Sequence, residues 1–279
     1  MLRSWSGLGG VMLVAACSQP MATPPAPPVS RLFAAPSPAA SPVPDTAEPP
    51  ARRQPVASCE VTVCLSGAGP KHVGGNPAFA RLCEPLPGLV PACSADGVCS
   101  PAFQITEKKA ALTAALEALD HNDDGRIDDG DPQCVFNIVG YSWGGVNATE
   151  LAKTFLHDER VASSHRAVDR LVVIDPYRPM ARVEVPQGVS RFHSIRQSDP
   201  PTNDCSRNSP LGPYRGLLPR CEAAETCEDL DVSSTPDTRY PMSDRRTVEG
   251  RDVGHCRIVG VATPMVWSLF GVDERRAEP

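Results

Sequence analysis

Residues 134–153 read CVFNIVGYSWGGVNATELAK, and no other stretch limits the fold of this chain as strongly. The apolar run over residues 134–140 predicts a strand buried on both faces, which needs a covering layer above and below it. Gly140, Gly144 and Gly145 crowd around a lone Ser142, and a helix is predicted from Val146 to about Leu156. Glycines at such a turn let strand and helix approach without side-chain collision. A buried strand passing straight into a helix calls for an α/β fold, with a mostly parallel sheet and helices on both faces.

Other segments fit that class. EVTVCL (residues 60–65) is rich in β-branched residues and ends in Ser66-Gly67-Ala68-Gly69, so a strand and a tight loop are expected. Asn76-Pro77 is suited to cap and open a short helix through Leu82, and Leu89-Val90 make a weak strand. TEKKAALTAALEAL (residues 106–119) is the clearest helix, with Thr106 as its expected N-cap. RLVVI (residues 170–174) predicts a second buried strand, and RFHSIRQ (residues 191–197) a strand nearer the edge. Residues 203–234 are polar and read as loop. IVGVATPMVWSLF, after His255, predicts a closing helix that Pro264 should bend or interrupt.

A serine hydroxyl attacks a carbonyl well only when a base takes its proton. Gly140-Tyr141-Ser142-Trp143-Gly144 matches G-x-S-x-G in the strand-to-helix context that a nucleophile elbow requires. On this motif and the order of elements, the domain from about Val56 resembles the α/β-hydrolase superfamily, in a compact, cutinase-like form. The resemblance implies chain order Ser, Asp, His. His255, after the last strand and before the closing helix, is then the expected base, whereas His193 lies within a strand pattern. Asp175 and Asp199 each follow a strand and both remain candidates, Asp175 preferred because its strand is the more clearly buried. The oxyanion donors implied are the backbone N–H of Trp143 and one from the Gly67-Ala68-Gly69 loop, at Ala68. The reaction implied is hydrolysis of a small-molecule or lipid ester. The alternative is a calcium-binding surface lipoprotein that keeps the fold without the chemistry.

The first 55 residues point to export. Leu8 to Ala16 form an apolar stretch too short to span a bilayer and suited to a signal peptide over residues 1–16. Val14-Ala15-Ala16-Cys17 resembles the lipobox of bacterial lipoproteins, which implies a lipid on Cys17. Ser18, in place of a retention aspartate, points to the outer membrane or cell surface. Twelve of the 31 prolines fall between Pro20 and Pro55, so residues 17–55 are expected to form an extended tether before a domain over residues 56–279. Cys17 aside, ten of the eleven cysteines remain, an even number that fits a disulfide framework of up to five bridges with pairing open. A net charge of −6 offers no basic field for nucleic acid.

DHNDDGRIDDGD (residues 120–131) forms a second motif. Oxygen-bearing side chains stand at positions 1, 3, 5, 9 and 12: Asp120, Asn122, Asp124, Asp128 and Asp131. Gly125 falls at the sharp turn and the Arg126 carbonyl at position 7. The spacing resembles an EF-hand or dockerin-type loop, which implies a structural calcium ion held by Asp120, Asn122, Asp124, Arg126 and Asp131. It departs from those families in standing alone and leading to a strand.

Overall fold

A computed structural model of the chain describes residues 59–67, 76–198, 214–232, 247–248, 251–252, 254–255 and 257–273. The proposed signal segment, Cys17, the tether, Ala68, Asp199, Cys205 and Cys256 lie outside the described residues.

In chain order the elements are β1 (Glu60–Leu65), α1 (Pro77–Cys83), β2 (Ala92–Cys93), β3 (Cys99–Ser100), α2 (Lys108–Leu119), β4 (Val135–Tyr141), α3 (Trp143–Leu156), a 3-10 turn (Ser163–His165), and β5 (Val168–Ile174). Then follow β6 (Val183–Glu184), β7 (Val189–Arg196), β8 (Pro219–Arg220), β9 (Thr226–Asp231), β10 (Thr247–Val248), β11 (Arg251–Asp252) and α4 (Ile258–Leu269). Five strands form one sheet in the order β1-β4-β5-β7-β9, and every neighbouring pair is parallel. Because side chains alternate across a strand, consecutive apolar residues feed two separate layers. Val61, Val63, Ile138, Leu171 and Val173 pack with α2 and α3, whereas Cys64, Val139, Val172 and Ile174 pack with α1 and α4. The fold is α/β, with helices on both faces of a parallel sheet.

Local chemistry sets several boundaries. Asn76 caps α1 as expected, its Oδ1 accepting the N–H groups of Ala78 (2.9 Å) and Phe79 (3.3 Å). The expected Thr106 cap is corrected: α2 begins at Lys108, and the Glu107 carboxylate instead turns back to accept the Gln104 N–H at 2.7 Å. α3 starts at Trp143, three residues before the expected Val146, because the helix follows Ser142 without a linker. α4 runs through Pro264 as one helix, so the expected interruption does not occur. Leu89 contributes only an isolated bridge to Thr62.

One strand was not expected. β7 lies nearer the edge than β5, as read, but the edge strand beside it is β9, inside the segment read as loop. β9 is TCEDLD with only Leu230 buried, so it lacks the apolar signal of a central strand. Charge holds it in place: Arg196 of β7 meets Asp229 at 2.9 Å and Asp231 at 3.1 Å. Four disulfides join the described cysteines: Cys59–Cys134, Cys64–Cys83, Cys93–Cys99 and Cys221–Cys227. The first locks the entrances of the parallel pair β1 and β4, beside the Val135 N–H bond to the Cys59 carbonyl (2.8 Å).

Candidate active site

Ser142 lies one residue beyond β4 at φ 57° and ψ −125°, a region that costs a non-glycine residue about 1–3 kcal/mol. The surroundings enforce this conformation. The Ser142 N–H extends the ladder to the Ile174 carbonyl (2.9 Å), and the Ser142 carbonyl accepts from Gly145 (3.0 Å) and Tyr177 (3.0 Å). Gly144 passes so close to the carbonyl oxygens of Leu65 and Ser66 that any Cβ there would overlap them. The glycine therefore sets how near α3 comes to β1, and with it where the first helical N–H groups point. Trp143 is the first residue of α3, so its N–H has no acceptor within the helix.

Asp175 sits one residue beyond β5, completely buried, with its N–H on the Ile195 carbonyl at 2.7 Å. Its φ of 43° turns the side chain across the strand ends. His255, between β11 and α4, is anchored through its own carbonyl, which accepts the Tyr141 hydroxyl at 2.7 Å. Three segments distant in sequence thus meet. His255 Nε2 is 2.8 Å from Ser142 Oγ, and His255 Nδ1 is 2.6 Å from Asp175 Oδ2. A carboxylate only accepts, so the Asp175 contact assigns the proton to Nδ1 and leaves Nε2 as acceptor for the serine hydroxyl. Ser142 and His255 are 5% and 4% exposed, so little water competes for either bond.

An aromatic collar encloses the imidazole. Tyr141 stacks on it with centroids 5.3 Å apart, and Tyr214 meets it edge-on at 4.9 Å. Tyr177 stacks on Tyr214 at 4.2 Å, and burial followed by the nearby Tyr214 pushes the Tyr177 phenol above its usual range. The loop carrying Asp175 and Tyr177 is tied to the helices by Glu150, which accepts from Lys108 (2.6 Å) and from Arg178. Burial works to raise the Glu150 carboxyl, but the Arg178 and Lys108 hydrogen bonds override it and hold it below the usual range.

Of the predicted residues, Ser142, Asp175 and His255 come together, and Trp143 adjoins them. Ala68 and Asp199 lie outside the described residues, although Gly67 is close enough that a Cβ there would lie 2.6 Å from Ser142 Cβ. His193 stands apart in β7, its Nδ1 3.4 Å from Glu228. Sequence reasoning missed Gln197, Tyr214 and the role of Tyr141. Of these, only Tyr141 lay inside a readable motif.

The acidic loop is a chain of internal caps. Asp120 accepts the N–H groups of Asp124 (3.2 Å) and Gly125 (2.7 Å), and Asn122 Oδ1 accepts that of Asp124 at 3.0 Å. Asp124 accepts the Arg126 N–H at 2.9 Å, and Asp131 accepts from His121 (2.7 Å) and Asp128 (3.1 Å). Gly125 takes the left-handed conformation (φ +84°) that the turn needs, and Ile127 is buried beside Val161. The oxygen donors are of the kind a hard divalent cation takes, and each carboxylate oxygen keeps a second lone pair. Among the described residues, the metal-type ligand atoms that converge within 4.8 Å belong to Cys59, His121 and Cys134, whose two sulfurs are bonded to each other.

No family model matches the chain, and no curated protein matches it. Among solved structures it is similar to a ferulic acid esterase from Streptomyces cinnamoneus. Identity is 17%, over 81% of this chain and 72% of that one, with a TM-score of 0.30. At that identity and score the likeness adds nothing to the geometry above.

Proposed function

We propose that this protein is a serine hydrolase that cleaves carboxylic esters through an acyl-enzyme. The observation that carries the reading is the unbroken buried relay from Ser142 Oγ through His255 to Asp175. His255 Nε2 takes the hydroxyl proton as Oγ bonds to the ester carbonyl carbon. The negative oxygen of the tetrahedral intermediate is held by the Trp143 N–H, with Ala68 assigned as the second donor. Collapse breaks the bond to the alcohol, which leaves with the proton from His255. Water then gives a proton to His255 as it bonds to the acyl carbon, and collapse breaks the bond to Ser142 Oγ, which takes that proton back from His255 as the acid is released. Asp175 holds the imidazole tautomer and stabilises its transient positive charge.

In this reading the protein is exported, processed before Cys17, and anchored by lipid on that residue at the outer membrane or cell surface. The four disulfides support an oxidising compartment. The substrate is a small-molecule or lipid ester. The loop over residues 120–131 takes a structural calcium ion through Asp120, Asn122, Asp124, Asp131 and the Arg126 carbonyl. Labelling by a fluorophosphonate separates the enzyme from a non-catalytic lipoprotein, because only an activated serine reacts. The wild type should label and hydrolyse p-nitrophenyl esters, and Ser142→Ala and His255→Ala should do neither while keeping the wild-type fold. Full activity in folded Ser142→Ala would end the proposal.

A further inference from the structure

The triad acid is gripped by a residue that belongs to no motif. Gln197, one residue past β7, is completely buried. Its backbone N–H donates to Asp175 Oδ1 at 3.0 Å. Its side-chain Nε2 donates to Asp175 Oδ2 (3.3 Å) and to the Tyr214 carbonyl (2.6 Å). Its own carbonyl accepts the Gly216 N–H at 2.9 Å, and Gly216 lies where any Cβ would collide with Asp175 Oδ1. One residue therefore reaches both oxygens of the carboxylate and also ties down the segment that carries Tyr214, the ring edge-on to His255.

The amide is held in this orientation at a cost. Gln197 Oε1 is buried without a partner among the described residues. Turning the amide over would aim that oxygen at a carboxylate and a carbonyl, both acceptors, and would strand Nε2. The surroundings thus dictate which end faces Asp175. A buried apolar side chain of similar length would avoid the stranded oxygen but could not donate to Asp175.

We propose that Gln197 is a positioning residue of the hydrolase, which clamps the Asp175 carboxylate in the plane that orients His255 and fixes the Tyr214 cover over the imidazole. This rests on the serine hydrolase reading of the site. The side-chain bond also draws charge from Oδ2, the oxygen that faces His255 Nδ1. Without it, the more concentrated negative charge favours the imidazolium, so a higher pH is needed to free Nε2 as base. Among the described residues, the other titratable side chains facing this cluster are Tyr141, Tyr177 and Tyr214, and the neighbouring Arg196 is engaged by Asp229 and Asp231.

The test uses the full chain, a p-nitrophenyl ester and the variants Gln197→Met and Gln197→Glu. Gln197→Met should lower kcat by about tenfold or more, the weight of a hydrogen bond to a charged group, and leave KM within about twofold. The acid limb of its pH–rate profile should move to higher pH, and the low-field proton resonance of the His255 Nδ1–H bond should shift. Gln197→Glu should move the acid limb in the same direction. Its protonated carboxyl can still donate, but once ionised it loses that bond and sets a second negative charge beside Asp175, which favours the imidazolium more strongly, so activity should stay low over a pH range in which the wild type gains it. An acid limb and a low-field resonance unchanged from wild type in folded Gln197→Met would overturn the proposal, even if kcat fell. If Gln197→Met does not fold, a wild-type pH profile in Gln197→Glu overturns it. Wild-type protein that a fluorophosphonate fails to label would remove the hydrolase reading and this proposal together. Labelled wild type with unmoved variants removes this proposal alone.

Discussion

The elbow can be tested by adding one carbon atom. Gly144 is in the first turn of α3, where Ala is the better helix former by about 1 kcal/mol, so propensity alone makes Gly144→Ala stabilising. The structure opposes this. The added Cβ would overlap the carbonyl oxygens of Leu65 and Ser66, and both are backbone atoms at and just beyond the end of β1, held by its parallel pairing to β4, so they cannot yield as a side chain tip would. Overpacking costs about 1–3 kcal/mol, and rigid neighbours place this case near the upper end. The net expectation is a loss of about 2 kcal/mol, or roughly 4–8 °C in Tm for a domain of this size. Relief requires α3 to move away from β1, which carries Trp143 and Ser142 with it, and a misplacement of about 1 Å can cost on the order of 10²-fold in rate. Gly145→Ala is the comparison. Its Cβ would meet Pro176 Cβ at 2.9 Å and the Pro176 Cα at 3.1 Å, both longer than the contacts at Gly144, so its loss of stability should be the smaller of the two. Thermal denaturation and p-nitrophenyl ester hydrolysis read both effects. If Gly144→Ala matched Gly145→Ala in Tm and kcat, the close approach of α3 to β1 would not be what holds the elbow.

Other tests address separate parts of the fold. Asp175→Asn should lower turnover by on the order of 10⁴-fold, with little change in ester KM, because the wrong imidazole tautomer is then favoured. Removing Cys59–Cys134, whose partners are 75 residues apart, should cost about 4 kcal/mol in the chain-entropy account, against about 2 kcal/mol for Cys93–Cys99, separated by 6; equal losses in urea melts would refute the ordering. Burial draws His193 below the usual imidazole range against the opposing pull of Glu228, so the unfolded chain takes up protons first as pH falls. Stability should therefore be full above about pH 6.5 and decline below it, a slope that His193→Gln should flatten in Tm measurements. For the acidic loop, Tm should rise with free calcium and fall again with EGTA, and the Asp120→Ala, Asp124→Ala pair should abolish the response; no Tm change together with no heat of binding by calorimetry would leave only the internal caps.

Ser142 could be found from sequence because the elbow writes its requirements locally. A buried strand, a strained turn and a close helix need apolar residues, then glycines, within a dozen positions. His255 and Asp175 were legible only as positions after strands, and a second aspartate satisfied the same rule until geometry brought Asp175 to His255. β9 was not legible, because an edge strand held by Arg196 to two aspartates has a polar sequence like that of a loop. Disulfide partners were hidden for a different reason. Cys59 and Cys134 become neighbours only when β1 and β4 pair in parallel, which no spacing between them announces.

Gln197 shows where such reading stops, and why. Tyr141, Ile174 and Ile195 lie in register across β4, β5 and β7. The residue that follows β4 is Ser142, the one that follows β5 is Asp175, and the one that follows β7, two beyond Ile195, is Gln197. The parallel ladder therefore determines which polar groups reach the same end of the sheet, and each is invisible as a partner until the register is known. Slipping a strand by one residue would turn its side chains to the opposite face. On β5 that would send Asp175 away from His255 and expose to the wrong layer the apolar residues that now pack against α3 and α4. The core thus penalises any register that takes the site apart. The arrangement of Ser142, Asp175 and Gln197 is in that sense a product of the packing of Val172 and Val173 on opposite faces of one strand.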